Sequence, residues 1–394
     1  MAPIRTAIIG LSSSAKTSWA SNTHLQYLNS PPGRSKYQIV ALQNSSLQAA
    51  KNAIAHYNLP PETKAYGTPE DLAADKDVEL VVVATRVDVH HSSALPSVKA
   101  GKDLYVEWPL AQDVKHAREL VDASREKGVK TIVGLQGRYA PPIKKLREIV
   151  KEGRIGKSPT LGGRLKVVSA ELYASGGTND REILPASLEY FTQRAVGGNI
   201  FTIGLGHIFD QFQYIIGDIT NFKSTLHNQR PNIRIRDPKT NEITHTTTSN
   251  VPDLILATGR LSESSTAQKD AAVLVRFRRG QPFPGSPHLS ITIAGEKGEI
   301  RVQVFTGTTL HGASAYEKPV VIEVHDFGKD VVEQVEWKWE EWQQDIPLLA
   351  RGVAAVYEAF AEGDEDGLVS FEEALKRHEQ LEGLLGQWDE DRGV

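Results

Sequence analysis

Apolar, strand-like runs alternate with helix-forming stretches in the N-terminal part of the chain, and this alternation constrains the fold more than any other feature. The runs that predict strands are residues 4–9, 37–42, 80–84, 104–106 and 131–135. The stretches that predict helices are residues 17–28, 47–57, 92–99 and 114–127. Strands joined through helices form a parallel sheet with helices on both faces. We therefore expect a doubly wound, Rossmann-type dinucleotide-binding domain over residues 1–137.

After residue 137 the pattern changes to strands joined by turns. A helix at 142–152 precedes predicted strands at residues 165–172, 254–261, 272–278, 289–294, 299–305, 320–324 and 332–337. This pattern predicts a second domain, residues 138–394, built on a large, mostly antiparallel open sheet. The polar tract 228–250 predicts a long loop, and two final helices, 346–362 and 371–388, are free to pack back on the first domain.

Composition excludes several classes of function. The 394 residues contain no cysteine, which excludes disulfides, thiolate chemistry and cysteine-ligated zinc. A net charge of −4 offers no basic excess for phosphates, so we expect no direct binding of nucleic acid. The apolar runs are too short to span a bilayer, and the N-terminal residues do not resemble a signal peptide. These features favour a cytoplasmic protein without a membrane segment.

The acidic stretch 362–373 imitates a calcium-binding EF-hand loop. It begins with Glu362 instead of aspartate, and no second hand accompanies it. Ser370 and Glu373 have the spacing of a helix capping box, which explains both residues without a cation. We therefore expect no metal site.

The turn after the first predicted strand is the expected pyrophosphate site, because backbone amides at such a turn bind phosphate. One glycine of a dinucleotide-binding turn is present, and small serines and a lysine follow it: Gly10, Ser12, Ser13, Ser14 and Lys16. The second strand ends at Asn44 and Ser45, where a carboxylate commonly binds the ribose. Without that carboxylate or an arginine, both NAD and NADP remain open as the cofactor.

Further cofactor-binding residues are expected where the other parallel strands end, since the carboxyl ends of the strands line the ligand crevice. These candidates are Thr85, Arg86 and His90 after the third predicted strand, Glu107, Trp108 and Pro109 after the fourth, and Gln136 after the fifth.

The segments 84–90 and 100–111 resemble the glucose–fructose oxidoreductase/inositol dehydrogenase (Gfo/Idh/MocA) family, in motif and in spacing. Gly295-Glu296-Lys297-Gly298 is similar to a hairpin of that family, and Gly206-His207-Ile208-Phe209-Asp210 is similar to one of its helices. The resemblance implies that Glu107 and Pro109 lie beside the nicotinamide and that His207 faces the substrate.

Two positions depart from the family pattern. Trp108 stands where the family has a lysine that acts on the proton, and Ile203 stands where it has an aspartate. An indole donates a hydrogen bond but does not transfer a proton usefully. His207 is therefore the first candidate for acid–base work, since imidazole titrates near neutral pH, with Trp108 and Tyr173 as further catalytic candidates.

The segments around Trp108 and Gln136 are similar to a branch of the family that includes the yeast galactose-pathway repressor and related fungal oxidoreductase-like proteins. Two interpretations follow. The first is an NAD(P)-dependent oxidoreductase acting on a sugar or a sugar-like polyol or carbonyl. The alternative is a non-catalytic NAD(P)-binding sensor or transcriptional co-regulator, which would have a regulatory protein partner and a nuclear location as well. The open sheet favours a homodimer in either case.

Overall fold

The structure is a computed structural model that describes residues 2–14, 18–156, 167–176, 182–264 and 267–393. The chain forms two compact units. Unit 1 consists of Met1–Gln136, Ala195–Gly198 and Glu340–Glu379, and unit 2 consists of Gly137–Arg194, Asn199–Trp339 and Gln380–Val394. Glu340–Glu379, which the sequence analysis placed in the second domain, thus belongs to unit 1.

Unit 1 is built on a parallel sheet of six strands in the order β3-β2-β1-β4-β5-β6. The strands are β1 (Ile4–Ile9), β2 (Tyr37–Gln43), β3 (Lys64–Tyr66), β4 (Leu80–Val83), β5 (Asp103–Glu107) and β6 (Thr131–Gly134). This order is that of the doubly wound dinucleotide-binding fold, so the predicted fold class is confirmed. The strand order reverses between β1 and β4, and ligands of such sheets bind outside the carboxyl ends of the strands at this point.

Some helices of unit 1 have side-chain caps at their N-termini. The helices of this unit are α1 (Trp19–Asn22), α2 (His24–Leu28), α3 (Pro31–Lys36), α4 (Leu47–His56), α5 (Pro69–Ala73), α6 (His90–Lys99), α7 (Val114–Lys127) and α10 (Arg351–Glu362). The hydroxyl of Ser46 accepts a hydrogen bond from the first turn of α4, and the carboxylate of Asp113 does the same for α7. Helix α7 ends at Gly128 in the left-handed conformation.

The prediction of a single helix at residues 17–28 is wrong, because the chain forms short helices there instead. Ser18 precedes α1 in the left-handed conformation, and Thr23 separates α1 from α2. Lys16, a predicted phosphate ligand, lies outside the described residues. The sequence analysis also missed β3 and α5, which are too short to show a clear hydrophobic period.

Unit 2 contains a sheet of eight strands in the order β17-β16-β15-β14-β7-β13-β12-β9. These strands are β7 (Val167–Gly176), β9 (Ile219–His227), β12 (Leu254–Leu261), β13 (Ala267–Arg279), β14 (Leu289–Gly295), β15 (Gly298–Val304), β16 (Val321–Asp326) and β17 (Val331–Gln334). Neighbours pair antiparallel except β7 and β13, which run parallel. The mostly antiparallel second sheet is therefore confirmed.

The polar tract 228–250 is a hairpin and not the loop that the sequence predicted. Strands β10 (Asn232–Arg236) and β11 (Ile243–Thr248) pair antiparallel, and β8 (Ile183–Pro185) adds a third strand beside β10. Ile233 and Ile235 are buried with Leu184 in a small apolar core. The alternation was missed because β10 has only these two apolar positions among polar residues.

One face of the large sheet is buried and the other is partly open. Alternate residues of the central strands are buried, Leu172 and Phe277 among them, whereas Tyr173 and Leu256 are partly exposed on the opposite face. Helices α8 (Pro141–Glu152) and α9 (Gly206–Ile216) belong to this unit, and α11 (Phe371–Arg392) ends the chain. No helix in the described part of the chain is long and apolar enough to cross a membrane.

We expect Gly10→Ala to destabilise unit 1 more than Gly101→Ala. Both glycines have a positive φ, 99° and 77°, so alanine is strained at either position. A Cβ at residue 10 would lie 2.6 Å from the carbonyl oxygen of Ala84, whereas one at residue 101 meets nothing within 4 Å. The additional overpacking should cost about 1–3 kcal/mol. Urea unfolding followed by tryptophan fluorescence measures the difference, and equal losses for the two variants would contradict this account of the turn.

Candidate functional site

The turn after β1 is held in place by the last residue of β2 and by residues after it. The backbone amide of Gly10 donates to the carbonyl of Gln43 at 3.1 Å, and the side-chain amide of Asn44 donates to the carbonyl of Leu11 at 2.9 Å. The hydroxyl of Tyr57 donates to the carbonyl of Ser12 at 3.1 Å. The turn expected to bind pyrophosphate is thus fixed from three sides.

The exposed side of this turn carries small polar side chains. Ser13 and Ser14 are exposed, and the amide of Ser14 donates to the hydroxyl of Ser12 at 3.2 Å. Ser45 is exposed beyond β2, whereas the buried amide of Asn44 is already engaged with Leu11. Of the two residues predicted to contact the ribose, the structure therefore leaves Ser45 accessible and gives Asn44 a role in holding the turn.

The loop after β4 carries three of the predicted cofactor-binding residues, and their side chains differ in burial and in hydrogen bonding. Thr85 has a buried hydroxyl without a hydrogen-bond partner among the described residues. Arg86 is exposed and pairs with Asp88 through Nε and Nη2, at 2.6 and 2.5 Å. The ring of His90 is buried, with Nδ1 2.8 Å from the carbonyl oxygen of Pro109 and Nε2 3.0 Å from that of Thr85. Because both ring nitrogens face protein carbonyls, His90 joins the loop after β4 to the loop after β5.

Glu107 is the last residue of β5, and a buried chain of hydrogen bonds holds its carboxylate. Its Oε1 lies 2.9 Å from Nε2 of His24, and Nδ1 of the same ring lies 2.8 Å from the hydroxyl of Tyr357. Gly134 leaves room for the carboxylate, because a Cβ there would lie 2.6 Å from Oε2 of Glu107. Burial raises the pKa of Tyr357 well above its usual value, so its hydroxyl stays protonated and can donate.

His24 and Tyr357 were missed by the sequence analysis. They lie far apart along the chain, on α2 and α10, and neither stands in a motif. Only the packing of α10 against α2 within unit 1 brings them to Glu107.

Trp108 packs inside unit 1 instead of standing free beside the crevice. It is buried, its ring centroid lies 4.8 Å from that of His378, and the peptide between Trp108 and Pro109 is cis. Burial lowers the pKa of His378 to about 4, so this ring is neutral at physiological pH. The contact is thus between two uncharged rings.

Gln136 follows β6 and has an unusual side chain. The residue is 1% exposed, yet neither its amide nitrogen nor its amide oxygen has a hydrogen-bond partner among the described residues. A buried amide without partners is costly, so a bound molecule that supplied both an acceptor and a donor would stabilise this side chain.

In unit 2, α9 presents the predicted catalytic histidine. A π-helical turn, Ile200–Leu205, precedes α9, and the side chain of Asn199 caps this turn. The ring of His207 is buried, with its centroid 4.2 Å from that of His311, and its Nδ1 has no hydrogen-bond partner in the part of the chain that the structure describes. His311 is a further residue that the sequence analysis missed, since no motif surrounds it.

The pKa of His207 differs from the value expected from the sequence, and that of His311 is lowered as well. Burial, together with the neighbouring His311, lowers the pKa of His207 well below its usual value. Burial likewise lowers the pKa of His311 to about 4. The expectation that His207 titrates near neutral pH is therefore wrong, because both rings are uncharged there.

An ion pair anchors the same helix. Nε and Nη2 of Arg138 donate to Oδ2 and Oδ1 of Asp210 at 2.9 and 2.7 Å, and both side chains are almost completely buried. The guanidinium carbon of Arg138 also lies 5.0 Å from the ring centroid of Tyr214. Because this geometry is bidentate and dry, it fixes the orientation of α9 and thereby of His207.

The structure does not bring Tyr173 to His207. Tyr173 pairs with Arg276 and Ser290 on neighbouring strands and points to the open face of the sheet. The turn before α9 lies on the buried face, where a Cβ at Gly204 would be 3.4 Å from the ring of Phe277. Tyr173 is thus on the wrong side of the sheet for the catalytic role expected of it.

The acidic stretch before α11 contains the predicted capping box. The amide of Ser370 donates to Oε2 of Glu373 at 3.3 Å, and the amide of Glu373 donates to the hydroxyl of Ser370 at 3.2 Å. Within the described residues, no group of three or more histidine, aspartate or glutamate side chains is arranged to hold a metal ion.

Comparison with known proteins agrees with this two-part architecture. Residues 4–135 match the model of the oxidoreductase family with an NAD-binding Rossmann fold, and residues 141–304 match that of the Gal80p C-terminal domain. The dehydrogenase aclE of Aspergillus oryzae is 30% identical over 384 residues, which cover 97% of this chain and 95% of aclE. The chain belongs to the Gfo/Idh/MocA oxidoreductase family. The family membership and the NAD(P) cofactor class expected from the sequence are confirmed.

Other members of the family extend the comparison. The galactose/lactose metabolism regulatory protein GAL80 of Saccharomyces cerevisiae is 28% identical over 310 residues, which cover 77% of this chain and 67% of GAL80. The structure of the transcriptional regulator Gal80p from Kluyveromyces lactis superposes with a TM-score of 0.80 at 25% identity and covers 99% of this chain and 93% of that one. The family branch therefore contains both a dehydrogenase and transcriptional regulators.

Because the pKa values of His207 and His311 are lowered in the folded protein, we expect a loss of stability in acid. A histidine whose pKa is lowered by folding is more easily protonated in the unfolded chain, so stability is full above pH ~6.5 and falls as the pH drops toward the folded pKa. For His311, whose folded pKa is about 4, the loss is about 1.4 kcal/mol per pH unit in this window. His311→Asn should therefore lose about 2 kcal/mol less than the wild type between pH 6.5 and 5. Urea unfolding at a series of pH values measures this, with the exposed-site variant His227→Asn as control; identical pH dependence in His311→Asn and wild type would refute it.

Proposed function

We propose that the protein is an NAD(P)-dependent dehydrogenase that oxidises an alcohol carbon of a sugar or sugar-like polyol, with His207 as the proton acceptor. The observation that carries the proposal is the neutral, buried imidazole of His207 with an open Nδ1 on a helix fixed by an ion pair. Removing the hydroxyl proton leaves an alkoxide, which expels hydride as the carbonyl forms. The bound nicotinamide would accept this hydride.

The residues of unit 1 fit a dinucleotide. The turn of Gly10 and Ser12–Ser14 would hold the pyrophosphate through backbone amides and small hydroxyls. The two unsatisfied atoms of Gln136 match the donor and acceptor of a nicotinamide carboxamide. Ser45 would contact the ribose. No carboxylate follows β2 to repel a 2′-phosphate, so NADP is acceptable as well as NAD.

Because Trp108 stands where the family has a lysine, another residue must accept the substrate's hydroxyl proton. We assign this role to His207. Trp108 has no proton to exchange, and its ring packs on His378. An unprotonated imidazole is able to accept a proton, whereas an indole is not. His311, in contact with His207, keeps a second positive charge away from the base because it is neutral too.

The substrate class is supported by the family. A levoglucosan dehydrogenase, whose structure contains NADH and L-sorbose, has the same fold, with a TM-score of 0.73 at 15% identity. The dehydrogenase aclE aligns over nearly the whole of this chain. A sugar-like alcohol is thus the substrate class that we propose.

The second candidate function is a dinucleotide-binding transcriptional co-regulator. It is favoured by the match of residues 141–304 to the Gal80p C-terminal domain. Such a protein would bind NAD(P) without turning it over, would act on a protein partner and would be present in the nucleus. Trp108 in place of the family lysine is compatible with this function too.

The two functions differ in turnover. We expect purified protein to bind NADH, which enhances the nicotinamide fluorescence, and to reduce NAD or NADP with at least one member of a panel of sugars and polyols. His207→Ala should lower kcat about 10²–10⁴-fold, as expected for loss of a general base, while the binding of NADH is unchanged. His227→Asn is the control. Turnover that survives in His207→Ala would refute the mechanism, and tight NADH binding without turnover across the panel would favour the co-regulator.

We also propose that the open face of the large sheet pairs with that of a second copy. Tyr173 and Leu256 are 37% and 39% exposed there, on either side of Arg276. Light scattering should give about twice the chain mass of 43.3 kDa at micromolar concentration. Leu256→Glu should shift the protein toward monomer, whereas Phe283→Glu, at an exposed loop position, should not. A monomeric wild type would contradict the proposal.

A further inference from the structure

Unit 2 contains a half-enclosed cavity of about 210 Å³ beside the small sheet of β8, β10 and β11. Much of its wall is apolar and is formed by Leu184, Leu188, Phe191, Ile200 and Val251. An apolar cavity of about 150 Å³ is large enough to bind benzene. The cavity of unit 2 therefore has room for a benzene ring that carries small substituents.

The polar end of the cavity is formed by Asn228, Arg230, Ser249, Asp253 and Arg279. Its charged groups have partners within the protein. Nη1 of Arg230 lies 3.4 Å from Oδ2 of Asp253, and Oδ1 of Asp253 accepts the backbone amide of Gln229 at 2.6 Å. Nη2 of Arg279 donates to the carbonyl of Ile183 at 3.1 Å. Because these charges are already engaged, an ionic ligand would lose its hydration and gain little in return, a cost that a neutral ligand avoids.

The side chain of Asn228 is only half engaged. Its amide nitrogen donates to the carbonyl of Ser249 at 2.7 Å, which fixes the orientation of the side chain. Its Oδ1 is buried and accepts no hydrogen bond from the described residues. A buried acceptor without a donor is costly, and a bound molecule that supplied the donor would remove this cost. The cavity thus combines a large apolar wall with an acceptor that lacks a donor.

We propose that this cavity binds a neutral phenol with small substituents on its ring. The ring packs against Leu188 and Phe191, and the hydroxyl donates to Oδ1 of Asn228. An aromatic ligand suits this wall because rings pack favourably against an aromatic side chain such as Phe191. The site is independent of the proposed dehydrogenase chemistry, since neither His207 nor His311 lines the cavity.

Calorimetric titrations with 4-methylphenol and 1,4-dimethylbenzene test the proposal. The two molecules have nearly the same shape, but only the phenol donates a hydrogen bond. A purely apolar cavity would prefer dimethylbenzene, because the phenol would lose the hydrogen bond of its hydroxyl to water. With Asn228 as acceptor we expect the opposite order, with a Kd below about 1 mM for 4-methylphenol and binding about threefold or more tighter than that of dimethylbenzene. Equal or tighter binding of dimethylbenzene would overturn the proposal.

The charge of the ligand is tested with 4-methylbenzoate, an anion that carries the same ring. It should bind about tenfold more weakly than 4-methylphenol or worse, because its carboxylate must be desolvated at an end whose charges already have partners. Tighter binding of the benzoate than of the phenol would contradict the assignment of a neutral ligand.

A substitution at Asn228 assigns the hydrogen bond. Asn228→Leu removes the acceptor at similar side-chain volume, so it should reverse the preference and bind dimethylbenzene more tightly than 4-methylphenol. The measured quantity is a ratio of two affinities in one protein, which a general loosening of the cavity does not imitate. Asn232→Leu makes the same change at an exposed position on β10 and should keep the wild-type preference. The same preference in both variants would refute the role of Asn228.

Two further variants assign the binding to this cavity, and they decide the question if Asn228→Leu does not fold. Leu188→Trp should fill the apolar part and abolish binding of both compounds. His207→Ala should bind 4-methylphenol with the wild-type Kd, whether or not the protein is a dehydrogenase. Binding that persists in Leu188→Trp or is lost in His207→Ala would overturn the proposal, as would absence of binding by the wild type.

Discussion

The buried ion pair between Arg138 and Asp210 determines how unit 2 presents its chemistry. Two charges removed from water are tolerated only when the geometry is good, and here two short parallel hydrogen bonds satisfy both groups. The pair holds α9 in one orientation and leaves the adjacent His207 with an open nitrogen. In unit 1, hydrogen-bond partners likewise hold a buried carboxylate. Glu107 is fixed by His24 and, through it, by Tyr357. In each unit a buried charge is held by partners that also orient the neighbouring site.

Burial also sets the protonation of the histidines. His207 is buried and packs against the partly buried His311, and the pKa values of both are lowered, so neither carries a charge near neutral pH. The Gfo/Idh/MocA family includes a dehydrogenase and transcriptional regulators at similar identity to this chain, so membership alone does not distinguish turnover from sensing.

The hairpin of β10 and β11 gives unit 2 a second feature of chemical interest. Together with β8 it encloses an apolar core, and the chain before and after it supplies Asn228, Arg230 and Ser249 to the polar end of a cavity. The cavity and the His207 pair lie in the same unit but share no residue.

The sequence by itself determined the alternation of strands and helices in the first unit, the antiparallel sheet of the second, the family and the dinucleotide class. These follow from local signals: hydrophobic period, turn residues and the segments at 84–90 and 100–111. Only the tertiary structure decided that His24 and Tyr357 meet Glu107, that His311 lies against His207, and that Tyr173 faces away from both histidines. Those contacts join residues that are far apart in the chain. Which face of a strand is buried depends on the elements that pack against the sheet. The pKa of His207 likewise follows from burial, which no local pattern encodes.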